Sequence, residues 1–146
     1  MSAYFDTSFL MPLVRREATS EGVTEFVGRL TGAPLSTSHW TWVELCSAIA
    51  RHVRMKVLRP AEGRTAIDNF ENKILPSFSL SGVTLEDWVT AVNYLQNFET
   101  GLRAGDALHL AIARNNNAQA IYSLDDKMIR AGKLLGLPIS RGIGGK

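Results

Sequence analysis

Ala3-Tyr4-Phe5-Asp6-Thr7-Ser8 near the start and Ala120-Ile121-Tyr122-Ser123-Leu124-Asp125 near the end decide how this chain is read. Each begins with an apolar run too short for a helix and rich in aromatic or β-branched residues, the pattern of a buried strand. Each also ends in an aspartate, and helical periodicity resumes directly afterwards. Two short strands that both hand over to a helix at an acid suggest a sheet whose strands share one direction, with acids at its carboxyl edge.

Working outward, amphipathic segments fill the space between such runs. Helices are expected from Ser8 to about Val14, and from Gly22 to Leu30, where Val23, Phe26, Val27 and Leu30 share a face. After a break at Thr31-Gly32, Ala33–Thr37 reads as a second strand. The spacing of Val43, Cys46, Ile49, Ala50 and Val53 predicts a long helix from about Thr41 to Met55. Pro60 suits the first turn of a helix ending near Pro76, and Phe78-Ser79-Leu80 suits a short strand. Thr84 reads as an N-cap before an apolar stripe of Leu85, Trp88, Val89, Val92 and Leu95, taken as inward-facing. A further helix opens at Gly105-Asp106, with Leu108, Ala111 and Ile112 inward. The last helix follows Asp125 and stops at Gly136 with Pro138 two residues on, before an edge strand at Pro138-Ile139-Ser140.

Short buried strands separated by helices imply an α/β domain, with a mostly parallel sheet of about four to five strands and helices on both faces. One domain is expected over residues 1–140, with 141–146 as a flexible tail. The 146 residues carry 16 Lys and Arg against 14 Asp and Glu, a formal charge of +2, which excludes a polycation or an acidic tail. At 45% hydrophobic and 21% charged, the chain is too apolar for intrinsic disorder. A single cysteine, Cys46, gives no disulfide framework and no cysteine-based zinc site, so a cytoplasmic setting is expected. No apolar run approaches the roughly 18 residues of a membrane span, and the N-terminus lacks the pattern of a signal peptide.

Four acids stand in apolar or tightly structured surroundings: Asp6, Glu44 between Trp42-Val43 and Leu45-Cys46, Asp106 at a helix start, and Asp125. Taken singly, each has an ordinary explanation in helix capping or the helix dipole. Together they are harder to dismiss. Ligands of parallel sheets bind beyond the carboxyl ends of the strands, and carboxylates gathered there would repel one another unless a cation neutralised them. A purely oxygen donor set suits Mg²⁺ or Mn²⁺. Spacing alone does not make the four converge.

Convergence comes from a resemblance. Tyr4–Leu10, Trp42-Val43-Glu44-Leu45, Gly105–Ala113 and Tyr122-Ser123-Leu124-Asp125 together resemble, in order and spacing, the motifs of PIN-domain ribonucleases and, among them, VapC-type toxins of toxin–antitoxin pairs. The resemblance implies a three-layer α/β/α sandwich and a divalent-metal-dependent endoribonuclease. It implies Asp6 and Asp106 as direct ligands of Mg²⁺ or Mn²⁺, Glu44 and Asp125 as ligands directly or through water, and Ser8 and Ser123 as their hydrogen-bonding supports. Of the adjacent acids, the family pattern selects Asp125 over Asp126. A VapB-type antitoxin and a homodimer are implied as partners, with faces around Val23, Phe26 and Leu30, or Val43, Cys46 and Ile49, as contact candidates.

Other residues weigh less. The basic cluster Arg51, Arg54, Lys56, Arg59 and Arg64 follows the Glu44 helix, so Arg51 and Arg54, with Arg103 before Asp106, are candidates for holding RNA phosphates. His39, His52 and His109 lack zinc spacing, and His109 is read as a packing or hydrogen-bonding residue. Trp88 is read as core, while base stacking by Trp40 or Trp42 is not expected. A haloacid-dehalogenase-type phosphatase needs a second aspartate two places after the first, where this chain has Ser8. A catalytically weak RNA- or protein-binding module and a housekeeping RNA-processing nuclease are the remaining alternatives.

Overall fold

The strand β1 (Ala3–Phe5) is buried at every position because its side chains alternate between two cores. In the computed structural model, which describes residues 2–30 and 32–144, Ala3 and Phe5 join Phe9, Val23, Leu45, Ile49 and Phe70 on one face. Tyr4 joins Leu108, Leu110, Ile112, Ile121, Met128 and Ile139 on the other. Strands β2 (Leu35–Ser38), β3 (Ser79–Ser81), β4 (Ala120–Tyr122) and β5 (Ile139–Ser140) complete a sheet in the order β3-β2-β1-β4-β5, every pairing parallel.

Helices cover both faces. Against the Phe5 side lie α1 (Thr7–Leu10), α2 (Ser20–Arg29), α3 (His39–Arg54) and α4 (Pro60–Asn69). Against the Tyr4 side lie α5 (Leu85–Leu95), α6 (Ala104–Asn115) and α7 (Asp126–Leu134). The result is the expected three-layer α/β/α sandwich. From Ala107 to Ala113 every residue of α6 is buried, as befits a helix apolar nearly all round. The chain moves one way from β1 to β2 and the other way to β4. The carboxyl end of β1 is therefore the switch point where parallel sheets bind ligands.

Three expectations need correcting. The helix read from Ser8 to Val14 is a single α-helical turn followed by a 3-10 turn at Met11–Leu13, because Pro12 has no N–H for a continuing α-helix. The helix read through to Pro76 stays α-helical only to Asn69 and then widens and tightens over Phe70–Ser77. On α5 the stripe points outward: Trp88 is 51% exposed, with Leu85, Val89 and Val92 beside it also exposed. The inward line instead uses Ala91 and a buried Asp87, which caps the Thr84 N–H at 2.9 Å and accepts from Asn115 Nδ2 at 2.8 Å. A satisfied polar anchor displaced the larger apolar stripe.

Of the contact faces considered, Val23 and Ile49 lie in the core, whereas Val43 is exposed. In the segment read as a flexible tail, Arg141 donates to the Leu124 carbonyl at 3.1 Å and Ile143 packs on the first core. Thr31, Gly145 and Lys146 fall outside the described residues. No helix among the described residues is long and apolar enough to cross a membrane.

Candidate active site

Asp6 leaves β1 in an extended conformation and caps α1. Its Oδ1 accepts from the Phe9 N–H at 3.0 Å and the Ser8 hydroxyl at 2.8 Å, and its Oδ2 accepts from the Ser123 hydroxyl at 2.6 Å. Burial nevertheless pushes its carboxyl above the usual carboxylate range, outweighing these bonds and the favourable influence of His109. Asp125 caps α7 in the same manner, accepting from Lys127 N at 2.9 Å and Met128 N at 3.3 Å. Two serines join these strand ends: the Asp125 N–H donates to Ser123 Oγ at 3.1 Å, and the Leu124 N–H to Ser8 Oγ at 2.9 Å.

Glu44 comes from α3 and Asp106 from the first turn of α6. Burial by itself would raise Glu44, but His109 and Thr7 outweigh it and hold the carboxyl below its ordinary value. Thr7 Oγ1 donates to Glu44 Oε1 at 2.6 Å, and His109 Nε2 lies 2.5 Å from the same oxygen. Asp106 is half-buried, and its carboxylate takes part in no hydrogen bond or ion pair among the described residues. Its carboxyl is pushed up to about 6, first by burial, then by the charge of Asp125, with Asp6 and Glu44 adding to the rise and His109 opposing it.

All four acids line one open cavity of about 980 Å³. Arg51 and Arg54 line it from α3, and Arg141 from beyond β5. Arg103 is exposed at the N-cap of α6, outside that lining. Arg59 and Arg64 pair with Glu62 and Asp68 on α4 instead. Asp126 also lies outside the lining; it is exposed, and its Oδ1 is 3.5 Å from Arg141. Trp40 donates from Nε1 to the Gly105 carbonyl at 3.2 Å, so its ring is committed to the protein.

Sequence reasoning missed four contributors: Thr7, Tyr4, Gly105 and Arg141. A Cβ on Gly105 would stand 2.8 Å from Glu44 Oε2 and 3.4 Å from the Trp40 ring, so glycine leaves room for the Glu44 carboxylate where it stands. For Tyr4, the alternation of β1 was a usable signal, since it points the side chain away from Phe5 and toward α6. Arg141 directly follows the last strand, so a parallel sheet delivers it to the same edge as Asp125.

Among the described residues, no three His, Cys, Asp or Glu side chains draw together as a ready-made metal cage. The donor set still fits a hard divalent cation. Mg²⁺ commonly keeps several waters and takes only one or two carboxylates, and the Asp106 carboxylate, crowded by Asp125, Asp6 and Glu44, makes no ion pair among the described residues.

The family described as PIN domain matches residues 3–134. Among solved structures, FitAcB from Neisseria gonorrhoeae superposes with a TM-score of 0.75 at 16% identity, covering 96% of this chain and 97% of that one. VapC20 from Mycobacterium tuberculosis, a sarcin-ricin loop cleaving toxin, gives 0.71 at 19% identity over 89% of this chain and 95% of that one. VapBC2 from Rickettsia felis, bound to a promoter DNA fragment, gives 0.72 at 14% identity over 96% and 98%. No curated protein sequence is significantly similar to the chain.

Proposed function

The chain belongs to the PIN-domain family, and from that premise we propose that it is a divalent-metal-dependent endoribonuclease, the toxin of a VapBC-type pair. The observation that carries this reading is the arrival of Asp6, Glu44, Asp106 and Asp125, from four separate elements, at one cavity where burial first, and then the charges of the other three, push the Asp106 carboxyl up.

When bound, Mg²⁺ or Mn²⁺ supplies charge neutralisation at the phosphodiester and makes a water more acidic. Asp6 and Asp106 hold the cation directly, and Glu44 and Asp125 hold it directly or through water. Ser8 and Ser123 keep the Asp6 carboxylate oriented, a role that tunes ligand strength. Arg51, Arg54 and Arg141 hold the flanking RNA phosphates on the cavity rim. With acids concentrated at this edge, the chain's near-neutral total charge divides into an acidic pocket and a basic rim.

An antitoxin partner is supported by neighbours solved as toxin–antitoxin complexes, including FitAB on a DNA fragment and VapBC-1 from nontypeable Haemophilus influenzae. Homodimerisation is supported by the exposed apolar row on α5, where Leu85, Trp88, Val89 and Val92 repeat at helical spacing.

Incubating the protein with structured and unstructured RNAs, with Mg²⁺ and with excess chelator, tests the reading. Cleavage should require the cation and vanish in Asp6→Asn; undiminished cleavage in chelator would remove the metal mechanism. Retained RNA binding without any cleavage would favour the binding-module alternative.

A further inference from the structure

A continuous chain of buried hydrogen bonds runs beneath the cavity. Ser38, the N-cap of α3, accepts from the Thr41 N–H at 3.2 Å, and its Oγ lies 2.8 Å from the Tyr4 hydroxyl. That hydroxyl lies 2.8 Å from His109 Nδ1, and on the other side of the ring Nε2 meets Glu44 Oε1 at 2.5 Å. Tyr4 is 1% exposed and His109 2%, so their polar atoms depend on one another for satisfaction.

We infer that Tyr4 and His109 are positioning residues, the tyrosine hydroxyl fixing the imidazole so that its Nε2–H holds Glu44 Oε1 and leaves Oε2 for the ligand. This deepens the function proposed above and rests on Glu44 belonging to that site. An ionised carboxylate only accepts hydrogen bonds, so the Nε2 facing it must carry a proton. Nδ1 then either accepts from the Tyr4 O–H or, in the doubly protonated ring, donates to its oxygen. Nε2 donates to Glu44 in both states, so the strut does not depend on the charge of His109. Thr7 donates to the same Oε1 at 2.6 Å, whereas Oε2 has no hydrogen-bond partner among the described residues.

The sequence explains why these residues meet. Alternation along β1 sends Tyr4 under α6, while Asp6 emerges at the strand end. On α6, His109 lies one turn beyond Asp106, so one helix face carries both a site acid and the strut beneath another. A histidine that only filled space would be replaceable by leucine. Here leucine would leave the Tyr4 hydroxyl and Glu44 Oε1 each short of a buried partner.

The test uses the full chain and the variants Tyr4→Phe, His109→Gln and His109→Leu, each checked for folding by circular dichroism. In the metal-free wild type, nitrogen NMR of the imidazoles should show His109 protonated at Nε2, and Tyr4→Phe should shift the Nδ1 resonance, which loses its hydroxyl partner, while Nε2 keeps its proton toward Glu44. Mn²⁺ alone, followed by water-proton relaxation, should bind about tenfold or more weakly to His109→Leu. It should bind more weakly to Tyr4→Phe and nearly normally to His109→Gln, whose amide can still donate to Glu44. An unprotonated Nε2 in the wild type, or wild-type Mn²⁺ affinity in all three variants, would overturn the inference. If the wild type itself binds no Mn²⁺, the metal-site reading fails, and the nitrogen assignment alone decides whether Tyr4 and His109 form the strut.

Discussion

Ser123 donates its hydroxyl to Asp6 Oδ2 at 2.6 Å across 117 residues of sequence, tying the end of β4 to the end of β1. Asp6 is buried, and removing one partner of a buried acceptor costs about 1–3 kcal/mol. Ser123→Ala should therefore lower stability by about that amount and raise the Asp6 carboxyl further. Chemical denaturation measures the first effect, and weaker Mg²⁺ binding near neutral pH reports the second.

Asp106 gives a pH prediction whose sign is fixed. Its carboxyl rises in the folded chain from its ordinary value of 3.8 to about 6. Between those values the folded state holds more protons than the unfolded state, so this residue's contribution to stability falls as pH rises from 3.8 through 6. Asp106→Asn should match the wild type at the acid end of that window. In metal-free protein above it, the variant should be more stable by on the order of 1 kcal/mol, after discounting for solvent screening at a half-exposed site. Added Mg²⁺ should stabilise the wild type and reverse the order. A constant difference across the window would contradict the charge crowding.

The sheet and its acids were legible because strands this short have little room for other readings. The parallel order follows from alternation with helices, and the family motifs mark which acids belong together. What was not legible depended on the third dimension. The α5 stripe misled because a buried, satisfied Asp87 was a better anchor than Trp88. Nothing in Arg-Gly-Ile-Gly predicts that the Arg141 guanidinium reaches the Leu124 carbonyl. Gly105 looked like an ordinary helix-start glycine, and its role appears only once Glu44 is seen beside it.

Gly105→Ala sets two effects against each other. Alanine improves helix propensity by about 1 kcal/mol, yet its Cβ would lie 2.8 Å from Glu44 Oε2. The expected outcome is a small change in melting temperature together with at least a tenfold loss of cleavage, because displacement at a reacting centre is felt strongly. Unchanged cleavage would show that Glu44 can move without consequence.

The exposed row on α5 predicts how the protein behaves at high concentration. Trp88 and its neighbours would be covered in a two-fold pair, and a charge at the centre of such a face is poorly tolerated. Trp88→Glu should shift sedimentation from dimer to monomer while leaving the circular dichroism spectrum unchanged. Identical sedimentation of variant and wild type would remove the α5 row as a dimer contact.

Arg51, Arg54 and Arg141 reach the same cavity from two different parts of the chain. Arg51 and Arg54 sit near the end of α3, whereas Arg141 is held at Leu124 and near Asp126, beside the last acid. Phosphate contacts release counterions, so each one removed should lower the slope of log affinity against log salt by somewhat less than one for a single-stranded RNA. Arg141→Gln should do this as clearly as Arg51→Gln or Arg54→Gln, and the pair Arg51→Gln with Arg141→Gln should lose about twice as much. Arg103→Gln, outside the lining, should leave the slope unchanged. Filter binding of a non-cleaved RNA to metal-free protein over a salt series separates these outcomes. A slope that responds to Arg103 but not to Arg141 would place the RNA on the other side of α6.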